Sequence, residues 1–227
     1  MRDTVLGYII SKENTSVLSK IRLGGFFLVK RIFDLFCGFL GCLAMLPVAL
    51  IVKIAYMLTG DFKSIFYTQK RIGKNGKIIG IYKFRSMVPN ADEVLKELLK
   101  DPKYKKEWKE NQKFENDPRI TKVGKILRKT SLDELPQFIN VVNNDMSLIG
   151  PRPLVEGELD EHNGDHALYE SVKPGITGWW ACNGRSATTY KKRLELEYYY
   201  IKNMSLLLDI KCIFKTITSV LFERGAK

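Results

Sequence analysis

One uninterrupted apolar segment constrains the fold of this chain more than any other sequence feature. Residues 35–52 (LFCGFLGCLAMLPVALIV) contain no charged side chain. The segment's length lies at the lower end of the roughly 17 to 25 apolar residues that a helix needs to span a bilayer. No small-residue cleavage pattern follows it before the polar region. We therefore expect it to remain in the mature protein rather than to be removed as a signal peptide.

Positive charges flank this segment on both sides. Lys30 and Arg31 precede it, and Lys53 follows it. Because the positive-inside rule draws both ends toward the cytoplasm, a straight span satisfies only one of them. Proline inside a helix removes a backbone donor and favours a bend. The sequence therefore predicts a re-entrant helix that breaks at Leu46 and Pro47 and returns to the same membrane face. The alternative is a Pro-kinked helix that crosses the bilayer.

The charge balance points to a phosphate-bearing partner. The chain has 227 residues with 37 Lys and Arg against 25 Asp and Glu, a formal net charge of +12. Such a surplus is typical of proteins that bind nucleic acid, anionic lipid or nucleotides. No nucleic-acid recognition motif is present, which disfavours the first. The cysteines lack the C-x-x-C spacing of zinc sites, and a reducing compartment fits them best; they are Cys37, Cys42, Cys182 and Cys212.

The remainder of the chain has the pattern of a basic α/β region. Residues 65–69 and 78–84 are β-prone and are joined through Asn75 and Gly76, the preferred pair for a tight hairpin turn. Residues 91–100 have helical apolar spacing, and Pro102 is expected to end that helix.

A second helical pattern lies near the C-terminus. Its apolar residues fall on one stripe, for which we favour core packing over contact with the lipid interface. The stripe consists of Leu206, Ile210, Ile213, Phe214, Ile217 and Leu221.

The segment TSLDELPQF carries the candidate chemistry. Ser131 followed three residues later by Glu134 is a capping box, which predicts a helix from Ser131 through Val142 with Pro136 in or near its first turn. In the simplest interpretation, Asp133 and Glu134 only complement the dipole of this helix.

A catalytic interpretation competes with that one. A helix N-terminus offers free amides to a phosphate, and basic residues surround this one in sequence. Asp133 could then act as a nucleophile toward phosphorus while Glu134 holds a divalent ion. The surrounding basic residues are Lys125, Arg128, Lys129 and Arg152.

Two further segments contain candidate anion contacts. Arg152 stands between two prolines in GPRP, which fix the backbone around a guanidinium suited to bidentate phosphate contact. A solvated arginine on a rigid surface turn is the simpler alternative. Arg185 follows a glycine-rich stretch, KPGITGWWACNG, whose tight loops could approach a nucleotide. We also predict phosphate contacts from Lys83 and Arg85 in KFRSM.

The order of these segments resembles a known family, the bacterial sugar transferases, which are monotopic polyprenyl-phosphate phosphoglycosyl transferases. Five blocks match in order and cover nearly everything after Lys30. They are KRIFD (30–34), FYTQKRIGKNGKIIGIYKFRSM (66–87), DPRITKVGKILRKTSLDELPQFINV (117–141), MSLIGPRP (146–153) and KPGITGWWACNGRS (173–186).

The resemblance implies an activity. It implies transfer of a sugar 1-phosphate from a nucleoside diphosphate sugar, usually a UDP-sugar, to polyprenyl (undecaprenyl) phosphate, with release of UMP. Asp133 corresponds to the family's nucleophile and Glu134 to its Mg²⁺ partner. We assign Mg²⁺ to these two carboxylates, with Mn²⁺ as the alternative ion. Arg128 and Arg152 match arginines implied to contact phosphate.

The predicted class is α+β. We expect an N-terminal arm (1–25), a re-entrant membrane helix-break-helix (26–58) and a small cytoplasmic α/β catalytic domain (59–227) with a short β-hairpin and amphipathic interfacial helices. The predicted location is the cytoplasmic face of a bacterial inner membrane with anionic phospholipid, in a capsule, exopolysaccharide or lipopolysaccharide pathway. The sequence leaves open the sugar and whether the chain forms a homodimer.

Two other classes of function remain open. One is a membrane-bound aspartyl-phosphate hydrolase, and the other is a non-enzymatic basic membrane adaptor in which the acidic pair only caps a helix. The chain also departs from the usual pattern of the family. Leu46 replaces the serine that commonly precedes the proline, and Trp180, Ala181 and Cys182 replace the usual Ala-Gln-Val.

Overall fold

The computed structural model describes residues 17–111, 114–184 and 188–221. The chain divides into two compact units, each of which includes part of the first helix. The first unit contains Met1–Ala44, Thr68–Tyr82 and Pro136–Lys227, and the second contains Met45–Tyr67 and Lys83–Leu135.

Helix α1 (Val17–Leu58) contains the apolar segment. Within the described residues it is the one helix long and apolar enough to cross a membrane, over Gly24–Leu58. Leu46 and Pro47 lie inside it with α-helical residues on both sides, and the re-entrant path stays a prediction. Residues 17–25, expected to belong to an N-terminal arm, form its first turns, whereas 1–16 lie outside the described residues.

The predicted hairpin is confirmed. Strands β1 (Phe66–Ile72) and β2 (Ile78–Phe84) are neighbours in a two-stranded sheet. The connecting turn (Lys74–Gly76) places Asn75 at φ 58° and Gly76 at φ 72°. Both are left-handed conformations, which Asn and Gly adopt more readily than other residues. Strand β1 extends three residues beyond the predicted 65–69.

Four short helices follow the hairpin. They are α2 (Ala91–Leu98), α3 (Pro102–Asn111), α4 (Lys122–Lys129) and α5 (Gln137–Val142), with a 3₁₀ turn at Leu132–Glu134 between the last two. Helix α2 ends before Pro102, which starts α3 instead. Proline is well suited to the first position of a helix, where its missing N–H is not needed.

The predicted helix from Ser131 through Val142 is wrong. Ser131 has φ 55° and its side chain makes no capping hydrogen bond. It lies just past the end of α4, where its N–H donates to the Arg128 carbonyl at 3.2 Å. A left-handed residue at this position terminates a helix, whereas an N-cap residue is extended. The α-helix starts only at Gln137, after Pro136.

Tyr56 of α1 lies in the interior of the second unit and is 1% exposed. Its ring stacks under the Arg85 guanidinium at 4.4 Å, and Arg85 also pairs with Asp61 at 2.9 Å. Helix α4 packs very closely here, because a Cβ on Gly124 would lie 1.9 Å from the Ser86 carbonyl oxygen. This contact fixes α4 against the segment that follows β2.

The first unit contains a second, parallel strand pair. Strand β3 (Ser147–Ile149) pairs with β4 (Gly175–Thr177), with Ser147 opposite Gly175. Helices α6 (His166–Tyr169), α7 (Tyr190–Lys202) and α8 (Leu206–Leu221) complete the unit. The main core cluster consists of Ile149, Leu168, Val172, Cys182, Tyr200, Ile201, Leu208 and Cys212.

Charged residues at the start of the apolar segment attach α1 to the first unit. Lys30 forms a buried ion pair with Asp209 at 2.6 Å. The Asp34 carboxylate accepts hydrogen bonds from the Ser147 hydroxyl at 2.8 Å and the Leu148 N–H at 2.8 Å. Buried charges are stable only when paired in this way. The first unit thus holds α1 through polar contacts as well as apolar ones.

Helix α8 corrects the favoured interpretation of the C-terminal stripe. Its buried side chains are Leu208, Asp209 and Cys212. The predicted stripe is largely exposed: Leu206, Ile210, Phe214 and Ile217 are 40%, 48%, 66% and 49% exposed. Core packing is therefore wrong for these four residues, because the helix buries the adjacent face. Ile213 of the same stripe is partly buried and packs against the main core cluster, as predicted. The side chain of Leu221 lies outside the described part.

Candidate active site

The acidic pair lies on a turn rather than on an α-helix. Leu132–Glu134 forms a single 3₁₀ turn in which the Leu135 N–H donates to the Leu132 carbonyl at 3.2 Å. The residues of the turn are partly buried. The turn therefore presents two neighbouring carboxylates, Asp133 and Glu134, at the surface of the second unit.

Two basic residues belong to the same site. Lys83 of β2 pairs with Glu134, its Nζ lying 3.3 Å from Oε1. Arg128, in the last turn of α4, donates from Nε to the Ser86 hydroxyl at 2.9 Å. The contact between Gly124 and Ser86 described above fixes the position of the helix that carries Arg128. The structure thus brings together four of the predicted site residues: Lys83, Arg128, Asp133 and Glu134.

The electrostatics of Asp133 follow from this arrangement. Burial raises the pKa of its carboxyl above the ordinary value, and the adjacent negative charge of Glu134 raises it further. The positive charges of Lys83 and Arg128 act in the opposite direction. Partial desolvation makes a carboxylate a stronger nucleophile, and a bound cation favours its ionised form. The site therefore suits attack by Asp133 on an electrophile whose negative charge the cations offset.

Arg85, also predicted to contact phosphate, lies in the interior of the second unit. It is 8% exposed, and its Nε donates to the Ser64 carbonyl at 2.8 Å. With the ion pair to Asp61 and the stacking on Tyr56, these contacts occupy much of its guanidinium. Its Nη2 has no hydrogen-bond partner within the described residues. The role of Arg85 toward phosphate stays a prediction.

The two remaining predicted contacts belong to other segments. Arg152 lies in the first unit, exposed, with its guanidinium 5.9 Å from the centre of the Trp180 ring. Its N–H donates to the Glu197 carboxylate at 3.0 Å, and its carbonyl accepts from the Tyr169 hydroxyl at 2.9 Å. The GPRP turn is therefore fixed through its backbone. Arg185 lies outside the described residues.

Sequence reasoning missed the side chains that support Arg152. Glu197 is 1% exposed, and burial raises the pKa of its carboxyl to about 7. Arg193 of the same helix pairs with Glu158 at 3.0 Å, and its guanidinium lies 4.8 Å from the centre of the Trp180 ring. The signal was the spacing of Arg193 and Glu197, four residues apart on an inward-facing side of α7.

Comparison with known proteins identifies the family. The sequence profile described as "Bacterial sugar transferase" matches residues 26–223. This chain belongs to that family. The match includes the acidic turn, Lys83, Arg128 and Arg152.

Named relatives extend this result. An exopolysaccharide production protein, ExoY, of Sinorhizobium fredii is 39% identical over 226 residues, which is 99% of this chain and 97% of the relative. An undecaprenyl-phosphate galactose phosphotransferase of Salmonella typhimurium is 46% identical over 199 residues, 87% of this chain and 41% of the relative. A UDP-glucose:undecaprenyl-phosphate glucose-1-phosphate transferase of Escherichia coli is 39% identical over 88% of this chain and 41% of the relative. The chain thus spans less than half the length of these two enzymes.

Proposed function

We propose that this sugar transferase moves a sugar 1-phosphate from a UDP-sugar to polyprenyl phosphate, releasing UMP. The observation that carries the proposal is the Asp133 carboxylate beside Glu134, on one turn with Lys83 and Arg128 next to it. The names of the Salmonella and Escherichia relatives support the lipid acceptor, and the second also supports the nucleotide. The name of the Sinorhizobium relative supports a role in exopolysaccharide production.

The proposed reaction has two displacements at one phosphorus atom. In the first, an Asp133 oxygen attacks the phosphorus that carries the sugar, and UMP leaves with the electron pair of the broken P–O bond. In the second, an oxygen of polyprenyl phosphate attacks the same phosphorus, and the Asp133 carboxylate is released. Lys83 and Arg128 offset the negative charge of the donor and of both transition states. Arg152 is proposed as a further phosphate contact.

The acidic pair also fits a divalent ion. No group of three or more His, Cys, Asp or Glu side chains suited to a metal occurs in the part of the chain that the structure describes. Mg²⁺ usually needs only one or two protein carboxylates, since substrate phosphates and waters complete its coordination. Asp133 and Glu134 supply such a pair of hard oxygen ligands. When bound there, Mg²⁺ or Mn²⁺ would neutralise charge on the donor diphosphate.

Membrane association is proposed from two exposed apolar surfaces of the first unit. In its first half, α1 exposes large side chains next to the residues that attach it to the unit. Helix α8 exposes Leu207, Phe214 and their neighbours. Apolar helix faces of this size are suited to a lipid interface. The exposed large side chains of the first half of α1 are Leu28, Val29, Ile32, Phe33, Leu35, Phe36, Phe39, Leu40 and Leu43.

We further propose that α1 is re-entrant, with both ends on the cytoplasmic face. A cysteine placed after α1, as in F62C, tests whether the C-terminal end of α1 lies on the cytoplasmic face, because Phe62 is 69% exposed and the change leaves every charge in place. We expect an impermeant maleimide to label F62C only after cells are permeabilised. The unsubstituted protein gives the background from the native cysteines. Labelling of F62C in intact cells would contradict the re-entrant path and favour a spanning helix.

The activity is tested by measuring UMP release from a panel of UDP-sugars. Membranes that contain the protein are incubated with undecaprenyl phosphate and Mg²⁺, and matched membranes without the protein serve as the control. We expect at least one donor to release UMP and to yield a lipid-linked sugar phosphate. Free sugar phosphate formed without added lipid would instead indicate a hydrolase. Absence of release from every donor would overturn the proposed activity.

A further inference from the structure

A second candidate site lies in the first unit, where basic side chains surround a cavity of about 210 Å³. It lies beside residues 27–34 of α1 and the turn of the β-hairpin. Its lining residues, among those the structure describes, are all separate from the acidic turn. The charged side chains that line it are Lys30, Arg31, Asp34, Lys74 and Lys173.

The partners of these groups leave a surplus of positive charge. Asp209 neutralises Lys30, and among the described residues Arg31 donates only to the uncharged carbonyls of Val141 and Val142. Lys173 donates to the Asn144 side-chain carbonyl, which is also uncharged. Lys74 has no hydrogen-bond or ion-pair partner for its side chain within the described residues.

The carboxylate that lines the cavity is already bonded. Asp34 accepts from the Ser147 hydroxyl and the Leu148 N–H. It is also 4% exposed. In the described part of the chain, three cations (Arg31, Lys74 and Lys173) therefore line the cavity against a single carboxylate. An anion in the cavity would correct this imbalance.

The pKa values of both lysines are lowered, and neighbouring positive charge contributes to the shift of Lys173. Burial lowers the pKa of Lys74. Burial, together with the positive charges of Arg31 and Lys74, lowers the pKa of Lys173 to about 8, while Asp34 and Asp145 act against the shift. Neighbouring cations held together without an anion destabilise one another. An anion with more than one oxygen could contact both lysines and Arg31 at once.

We propose that this cavity binds a phosphate group, with Lys74, Lys173 and Arg31 as its cationic contacts. The volume is that of several water molecules at about 30 Å³ each, which is sufficient for one phosphate group. Two sources carry this chemistry: the headgroup of a membrane lipid and free phosphate in solution. Lys30 to Asp34 immediately precede the apolar segment. If α1 enters the membrane as proposed above, the cavity therefore lies at headgroup level.

The test measures binding to the purified full-length chain in neutral detergent. The probes are dioctanoyl phosphatidic acid, dioctanoylglycerol, which lacks the phosphate, and inorganic phosphate alone. We expect K74Q and K173Q each to weaken binding of the phosphate-bearing probe by about tenfold, since each removes a charged contact. K77Q is the matched control, because Lys77 is exposed in the same turn and does not line the cavity. K74R and K173R should retain binding because they keep the charge.

The three probes distinguish a lipid headgroup from a soluble phosphate as the bound group. Lysine-dependent binding of phosphatidic acid without binding of inorganic phosphate assigns the site to lipid headgroups. Lysine-dependent binding of inorganic phosphate assigns it to a soluble phosphate. Equal binding of dioctanoylglycerol, an equal loss in K77Q, or no binding of either phosphate probe would overturn the proposal. D133N should bind phosphatidic acid normally, so this test can fail while the proposed transferase activity stands, and the reverse also holds.

Discussion

The D133N variant is expected to lose exchange of labelled UMP into the UDP-sugar that the enzyme uses. The amide that replaces the Asp133 carboxylate keeps the size of the side chain but lacks the anionic oxygen that attacks phosphorus. Removing a covalent nucleophile commonly lowers turnover by about 10³-fold or more. Exchange is measured without lipid acceptor, because it reports only the first displacement. Mass spectrometry of wild-type protein with donor alone should then find a phosphosugar on Asp133.

The control for this experiment is D92N. Asp92 is an exposed acidic residue of α2 in the same unit, so its replacement makes the same change in charge away from the acidic turn. We expect D92N to exchange UMP at the wild-type rate. Wild-type exchange in D133N would show that Asp133 is not the nucleophile and would favour the interpretation in which the acidic pair only complements local backbone.

The K30M variant is expected to lose more free energy of unfolding than either K202M or K30M/D209L. Lys30 and Asp209 form an ion pair with side chains that are only 9% and 7% exposed, and the Tyr200 hydroxyl donates to the same Asp209 carboxylate at 2.6 Å. Removing the lysine leaves a buried carboxylate without its cation, which commonly costs about 3–5 kcal/mol. Chemical unfolding of the purified chain in detergent measures the difference in free energy of unfolding.

Two further variants complete this experiment. K202M replaces an exposed lysine at the end of α7 and should change stability by no more than about 0.5 kcal/mol. The double variant K30M/D209L removes both charges and should recover part of the loss, because no unpaired charge remains. If K30M unfolds at the same denaturant concentration as K202M, the buried pair does not attach α1 to the first unit.

The hairpin and the apolar helix could be predicted because the residues that determine them are adjacent in sequence. Asn75 and Gly76 predicted the hairpin, because its turn needs two successive residues in left-handed conformations and few other residue pairs adopt them easily. The uncharged segment at residues 35–52 predicted the apolar helix, because a continuous run of apolar residues is also a local signal. The acidic pair and its neighbouring basic residues were also visible in sequence, and the structure places Lys83 and Arg128 in the same unit as the pair.

Predictions failed where the conformation depends on distant parts of the chain. Ser131 and Glu134 match a capping box, but the end of α4 requires a left-handed residue at position 131, and this excludes Ser131 as an N-cap. The stripe on α8 has the spacing of a core face, but the first unit buries the neighbouring face through Leu208 and Cys212. Spacing identifies an apolar face but does not say whether protein or lipid covers it.

The environment of Arg152 also depends on distant parts of the chain and could not be predicted from its neighbours in sequence. Nothing near GPRP in sequence indicates that Glu197 accepts its backbone N–H, since the two residues are 45 positions apart. In the sequence, Trp180 is a departure from the family pattern, whereas the structure places it beside both Arg152 and Arg193. Such contacts depend on tertiary packing, which a single sequence does not display.

The close approach of Gly41 to the Phe138 ring limits what can replace α1. A Cβ at position 41 would lie 2.2 Å from that ring, and one at Gly38 would lie 3.1 Å from Val142. The helix therefore has a fixed rotation about its own axis, since only its glycine face fits against α5. A polyleucine helix of equal length would have a comparable affinity for lipid. Its side chains, however, would leave no space for the Phe138 ring. If α1 anchors the chain in a membrane, as proposed above, other membrane anchors could not replace it. Grafting one from an unrelated bitopic protein should then keep lipid attachment but prevent correct packing of the first unit.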